Sequence, residues 1–385
     1  MTDARSLDDL HGLVARQHVV ICCGTGGVGK TTTAAALAVE GARRGRRTAV
    51  ITIDPARRLA DTLGLGASDD HEVERALWDP DGDAAAGGRL TALMLDTGST
   101  FDGLVARYAQ DDEQRDRILE NRFYRNLASA LSGTQEYMAM ERLHELHETG
   151  DYDLIIVDTP PTRHALDFLD APQRLIRLLD NRVFKVLMVP ARRGFRVATA
   201  ALHAFVRQVG RVIGTAVIDD IIAFFRAFEG MEEGFRSRAD SVRILLTEPT
   251  TSFVLVTSAR RDSIDEAVYF AQRLDDSTFA ISALIANRVL PQFTQVEDVS
   301  RLRARAVALR DAGEHGPDAG AAARRLADRC ETLADLAALA AREHHDLVGV
   351  AERMGGPPVA FVPFMAHDVH DVAALRQVCR HLFAQ

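Results

Sequence analysis

The sequence predicts an α/β fold: a doubly wound, mostly parallel sheet with an inserted helical subdomain. Three observations carry this expectation. Short apolar runs rich in β-branched residues recur along the chain, helical patterns separate most of them, and a glycine-rich loop closes the first run. Strand-like runs fall at Val19 to Cys23, Thr48 to Ile53, Leu90 to Leu95, Leu154 to Val157, Phe253 to Thr257, Ala280 to Ala286 and Val359 to Val362. Two long helical blocks, 101–148 and 163–247, interrupt the strand pattern and are read as the inserted subdomain. The stretch 300–347 is rich in Ala, Arg and Leu. With a Gly/Pro break near His315 to Gly320, it predicts two additional C-terminal helices. Asp79 to Gly88 reads as a loop. No internal repeat is found, so 1–385 is expected to be a single domain rather than a tandem duplication.

The first run, His18 to Cys23, has the residues of a buried parallel strand. Ala34, Leu37, Ala38 and Ala42 then recur at helical spacing. Between them lies Gly24-Thr25-Gly26-Gly27-Val28-Gly29-Lys30-Thr31, which satisfies G-x-x-x-x-G-K-[ST]. Glycines let this backbone curl so that its N–H groups face phosphate oxygens, and the helix N-terminus adds positive potential. Lys30 is expected at the β- and γ-phosphates, and the Thr31 hydroxyl on Mg²⁺. The loop therefore predicts binding of a nucleoside triphosphate.

Two aspartates end later strands. Asp54, in Ile51-Thr52-Ile53-Asp54-Pro55-Ala56, falls beyond a carboxyl end, where open α/β sheets bind ligands. It could orient the attacking water, or it could cap a helix, since Asp-Pro-Ala is also a good helix start. On local sequence both readings stand. Asp158 ends Leu154-Ile155-Ile156-Val157. An apolar strand closing on aspartate places a carboxylate beside Mg²⁺ and its waters.

Composition bounds the alternatives. A formal net charge of −9 argues against non-specific nucleic-acid binding. The four cysteines form no C-x-x-C, so no disulfide framework or cysteine zinc site is expected. Cys22 and Cys23 alternate across a buried strand and read as core. The polar N-terminus and the absence of a long apolar span favour a cytoplasmic protein, with peripheral membrane contact left open.

Together these segments resemble the arsenite-pump and tail-anchored-protein-targeting ATPases, a branch of the SIMIBI-class P-loop proteins. The resemblance covers most of the chain. Gly26 to Thr32 is similar to that family's deviant Walker A motif. Asp54-Pro55-Ala56 with Leu59 and Asp61 is similar to its switch I. Asp158-Thr159-Pro160-Pro161-Thr162-Arg163-His164 resembles its switch II. Gly133 to Tyr137 with Glu141 resembles the entry to its helical subdomain, and Ile285-Ala286-Asn287-Arg288 its adenine-reading strand end. Val362-Pro363-Phe364 is similar to its base-packing loop. The best fit is the actinobacterial branch, whose chains often come as non-identical pairs.

The resemblance implies ATP and Mg²⁺ as ligands and ATP hydrolysis as the activity. Nucleotide contacts are implied at Gly26, Gly27, Val28, Gly29, Lys30, Thr31, Thr32, Asn287 and Pro363. Asp54 and Lys30 are implied as catalytic, and Thr31 and Asp158 as the metal's residues. It also implies a dimer that closes over ATP and couples hydrolysis to a membrane-related client through the helical part.

The chain departs from this pattern at Thr25, where the family carries a lysine that reaches the partner's nucleotide. A homodimer would lack that cation. A heterodimer with a lysine-bearing paralogue would restore the site on this chain's own loop, or Arg57, Arg58 or Arg163 could substitute. Neither arsenite nor zinc is expected, because the cysteines do not cluster. Within Val183 to Phe228, apolar runs alternate with Arg182, Lys185, Arg192, Arg193, Arg196, Arg207 and Arg211. That pattern suits a groove for an apolar helix, a basic face on anionic lipid, or an ordinary packed helical unit. His144, Glu145, His147 and Glu148 read as a solvated helix face. Two rival functions remain on sequence: a weakly hydrolysing, nucleotide-gated binding subunit, and a positioning or partitioning ATPase. The long internal insert argues against the second.

Overall fold

Aliphatic residues buried on both faces build the centre of the sheet. All six residues of β1 (Val19–Gly24) and all five of β5 (Leu154–Asp158) are buried. The computed structural model describes residues 10–53, 59, 62–63, 72–75, 88–95, 97–122, 124–125, 134–160, 171, 176–177, 180, 220, 223–224, 227, 230–276, 279–293, 298–312 and 317–383. The other strands are β2 (Arg47–Thr52), β3 (Glu72–Arg75), β4 (Arg89–Met94), β6 (Thr251–Thr257), β7 (Ile281–Val289) and β8 (Val359–Pro363). They form one eight-stranded sheet in the order β3-β4-β2-β5-β1-β6-β7-β8. Every pairing is parallel except that of β3 on β4. Each predicted strand run is a strand of this sheet. β3 was not predicted, and it is the antiparallel edge.

Alternation along β1 divides the core. Val20 and Cys22 face α2 (Lys30–Arg43), α1 (Leu10–Arg16) and the C-terminal helix α10 (Val372–Phe383). Val19, Ile21 and Cys23 face α5 (Thr134–Thr149), α6 (Glu232–Thr247) and α7 (Arg261–Asp276). The period of two in a strand places successive side chains on opposite faces, so both layers need apolar residues. Small residues on α2 (Ala34, Ala35, Ala36, Ala38 and Ala42, all essentially buried) let it lie close on the sheet. Arg46 ties the bottom of this layer together by donating to the carbonyls of Val14, Gln17 and Asp153.

Between β4 and β5 the described residues form α3 (Thr97–Tyr108), α4 (Asp112–Leu119) and α5. Of the block 163–247, mainly α6 falls among the described residues. The apolar and basic runs from Val183 to Phe228 lie almost wholly outside them. Further on, α8 (Asp298–Ala312) and α9 (Pro317–Arg353) form a helical hairpin. The two expected helices are present: α8 ends at Ala312, Pro317 opens α9, and Gly320 lies within α9. Proline's fixed φ and missing N–H suit a first helical position. α9 is 37 residues long and reaches back to the sheet, where Val350 and Ala351 join the core.

The solvated reading of His144 is corrected, whereas Glu148 remains half exposed, at 51%. α6 covers that side of α5. His144 is only 6% exposed. Arg238 of α6 donates to Glu141, which is buried, and to Glu148. Glu145 does face outward, paired with Arg142. Helical spacing showed that these residues share a stripe, and only the partner helix decides whether the stripe meets water.

Candidate functional site

The carboxyl ends of β1, β5, β2, β6, β7 and β8 converge on one edge of the sheet, and the glycine loop leaves β1 there. α2 begins at Lys30, directly after Gly29, whose φ of 94° is left-handed. A side chain at Gly29 would collide with the Asn287 amide, so glycine is required there both by conformation and by close approach. The Lys30 Nζ donates to the Thr25 carbonyl at 2.8 Å, curling back over the loop from a site that is 8% exposed. Thr31 and Thr32 are half-buried at the helix start.

Asp158 sits beside this helix start and is 2% exposed. The Thr31 hydroxyl donates to its Oδ2 at 2.7 Å, and the Thr52 hydroxyl donates to the same oxygen at 3.1 Å. Residues 127 and 106 positions away in sequence thus meet at one carboxylate oxygen because β2, β5 and β1 are neighbours. A hydroxyl and a carboxylate at the mouth of a phosphate loop are hard oxygen donors, which fit Mg²⁺. Thr52 was missed on sequence; its position at the carboxyl end of β2 was the available signal.

Asn287 and Arg288 brace the loop from β7. The Asn287 Nδ2 donates to the Val28 carbonyl at 2.8 Å. The Arg288 Nη1 donates to the Gly27 carbonyl at 2.9 Å. Arg288 is the one described non-glycine residue with positive φ, at 58°, and its N–H donates to the Asn287 side-chain oxygen. The β7–β8 register shifts at this point, between Asn287 and Val289. Pro363 ends β8 opposite Val289, and Phe364 follows, 66% exposed.

A cavity of about 600 Å³ opens between the loop and these strand ends. Thr25 to Val28, Ser258, Arg260, Glu266, Arg288, Glu343 and Phe364 line it. Glu343 comes from α9 and had no sequence signal, since the helix is remote from the motif. Thr25 itself is 6% exposed, and its hydroxyl has no hydrogen-bond partner among the described residues.

Of the residues expected at the site, the structure brings together Gly26, Gly27, Val28, Gly29, Lys30, Thr31, Thr32, Asp158, Asn287 and Pro363. Asp54, Arg57, Arg58, Asp61, Gly133 and Pro161 to His164 lie outside the described residues. Cys22 and Cys23 sit in opposite core layers. Burial raises both thiols, Cys23 to about 12, and Asp158 raises Cys22 further. Both therefore stay protonated and pack as apolar groups. Among the described residues no helix is long and apolar enough to cross a membrane.

A glycine loop, one buried lysine and a carboxylate–hydroxyl pair at its mouth can hold a nucleoside triphosphate with a divalent cation. Comparison with known proteins agrees. A family model described as anion-transporting ATPase matches residues 17–310. The chain is similar to ATPase GET3 of Malassezia globosa, 31% identical over 272 residues, covering 70% of this chain and 72% of that protein. It is 25% identical over 268 residues to ATPase get3 of Aspergillus terreus, covering 69% of this chain and 72% of that protein. Protein Rv2184c of Mycobacterium tuberculosis is 34% identical over a shorter stretch of 168 residues, covering 42% of this chain and 39% of that protein.

Proposed function

The chain belongs to the anion-transporting ATPase family, and from that premise we propose that it hydrolyses ATP with Mg²⁺ as a dimer and couples nucleotide state to a membrane-related client. ATPase activity follows from the family. The observation that carries the metal-dependent reading is the convergence of Thr31 and Thr52 on Asp158 Oδ2. Backbone N–H groups of Gly26 to Gly29 bind phosphate oxygens, and Lys30 exchanges its Thr25 carbonyl for the β- and γ-phosphates. Thr31 and Asp158 would hold Mg²⁺, which supplies charge neutralisation at the phosphoryl oxygens. Asp54 orients the attacking water and accepts its proton. Asn287 and Pro363 border the base.

Replacing Asp54 with Asn tests the chemistry. Turnover is expected to fall by 10² or more, the usual range for losing a general base, while ATP affinity stays within a few-fold. A variant that turns over like the wild type would remove Asp54 from the mechanism.

A second reading has one observation in its favour. Thr25 is short and buried, and it stands where a lysine would reach a partner's nucleotide. A homodimer would then hydrolyse slowly and act as a nucleotide-gated binding subunit. A heterodimer with a lysine-bearing paralogue would complete the site on this chain. In either case the runs 183–228, almost wholly outside the described residues, are the segment to test for binding an apolar helix or lipid.

A further inference from the structure

We infer that Glu343 reads the nucleoside: its carboxylate accepts a hydrogen bond from a donor group of the bound nucleotide, either a ribose hydroxyl or the 6-amino group of adenine. The inference rests on the nucleotide reading above. It concerns a residue of α9, beyond the segment 17–310 that matches the family.

Three observations place Glu343 for this task. It lines the cavity together with Gly27, Arg288 and Phe364, so it shares the space that the phosphate loop opens into. One carboxylate oxygen, Oε2, accepts from the Leu290 N–H at 2.8 Å, and no hydrogen bond to the other is found among the described residues. The helix turn that follows it is anchored. Leu347, fully buried, packs with Ala286 and Val289, and the His344 ring stacks on Phe361 at 3.5 Å between centroids. A carboxylate held by one oxygen on a fixed helix is a preorganised acceptor. Nucleosides present donors at the ribose hydroxyls and at exocyclic amines, and carboxylates are the usual protein partners of such groups. The cavity also offers the other chemistry a nucleoside needs: Phe364 supplies an exposed aromatic face. Asp262 and Glu266 also line the cavity; Arg260 pairs with Asp262 at 2.8 Å, and the Arg288 guanidinium lies on the loop at the Gly27 carbonyl.

The substitution Glu343→Gln separates recognition from support. Glutamine keeps a carbonyl oxygen for the Leu290 N–H but turns the second position from acceptor to donor. Equilibrium binding to the full chain with Mg²⁺ would be measured for ATP, 2′-deoxy-ATP, 3′-deoxy-ATP and purine riboside triphosphate, which lacks the 6-amino group. Wild-type protein should bind one of the three analogues roughly ten-fold or more weaker than ATP, as expected for a hydrogen bond to a charged group. In E343Q that preference should collapse, with ATP affinity falling by the same factor. A collapse on a deoxy analogue assigns the ribose; a collapse on purine riboside triphosphate assigns the base. Unchanged ATP binding in E343Q, or an equal loss on all four nucleotides, would overturn the proposal. Lys30→Ala, measured in parallel, tests the underlying reading separately. Wild-type ATP binding that is lost in K30A leaves that reading intact whatever E343Q does. Wild-type ATP binding that is absent or independent of Lys30 would overturn both.

Discussion

Arg288 holds a backbone conformation that costs an L-residue about 1–2 kcal/mol, and it does so at the point where β7 meets the glycine loop. The strain is held by one local bond, its own N–H to Asn287, and one long-range bond, its guanidinium to the Gly27 carbonyl. Such outliers cluster where a site is preorganised. The expected consequence inverts the usual order of substitutions. Arg288→Gly should be more stable than Arg288→Ala by about 1 kcal/mol, read from urea midpoints, because only glycine adopts this φ freely. An alanine variant as stable as the glycine one would show that the left-handed conformation is not maintained in solution. The motif residues Lys30, Thr31 and Asp158 were legible because strand, glycine loop and helix, and a strand closing on aspartate, are local patterns. Arg288's conformation and Glu343's place were not. Each depends on a contact made after folding, across 261 residues for Arg288 with Gly27 and 53 for Glu343 with Leu290.

At the scale of elements, the seam between α5 and α6 is held by charge rather than by apolar packing alone. Arg238 and Glu141 are 7% and 1% exposed at their side chains. Burial pushes the Glu141 carboxyl above its ordinary range even with Arg238 beside it. Arg238→Ala leaves a buried carboxylate without its partner and should cost about 3–5 kcal/mol in chemical denaturation, whereas Arg238→Met with Glu141→Leu should recover most of that loss. His144 lies in the same seam. Burial, then the Arg238 charge, lowers its pKa from an ordinary 6.5 to about 4. Between those values the unfolded chain takes up a proton that the folded chain resists. Stability should therefore fall as pH drops from 6.5 towards 4, and His144→Gln should flatten that part of the profile. A profile identical in both proteins would remove His144 as its cause. This seam also marks where sequence reading ended. Periodicity located α5 but not the helix that covers its polar face. β3 escaped for a related reason: Glu72-Val73-Glu74-Arg75 carries one apolar residue, which suffices for an edge strand but leaves no alternating signal.

The whole molecule joins a sheet whose carboxyl edge gathers the nucleotide residues to helical segments on both faces, and α2 and β5 connect the two. Seven strands were readable because parallel strands buried on both sides are continuous apolar runs. The buried Thr25 sets the expectation at the level of assembly. Turnover of the chain alone should be slow, and mixing with a lysine-bearing paralogue should raise it by 10³ or more, the scale of a cation supplied in trans. Full turnover by the chain alone would mean that the site is complete without such a partner. The most direct test of the central claim is phosphate release from saturating ATP, with Mg²⁺ or with chelator, for the wild type and for Asp158→Asn. We predict release that requires Mg²⁺ in the wild type and is lost in the variant. Release that is independent of Mg²⁺, or undiminished in Asp158→Asn, would contradict it.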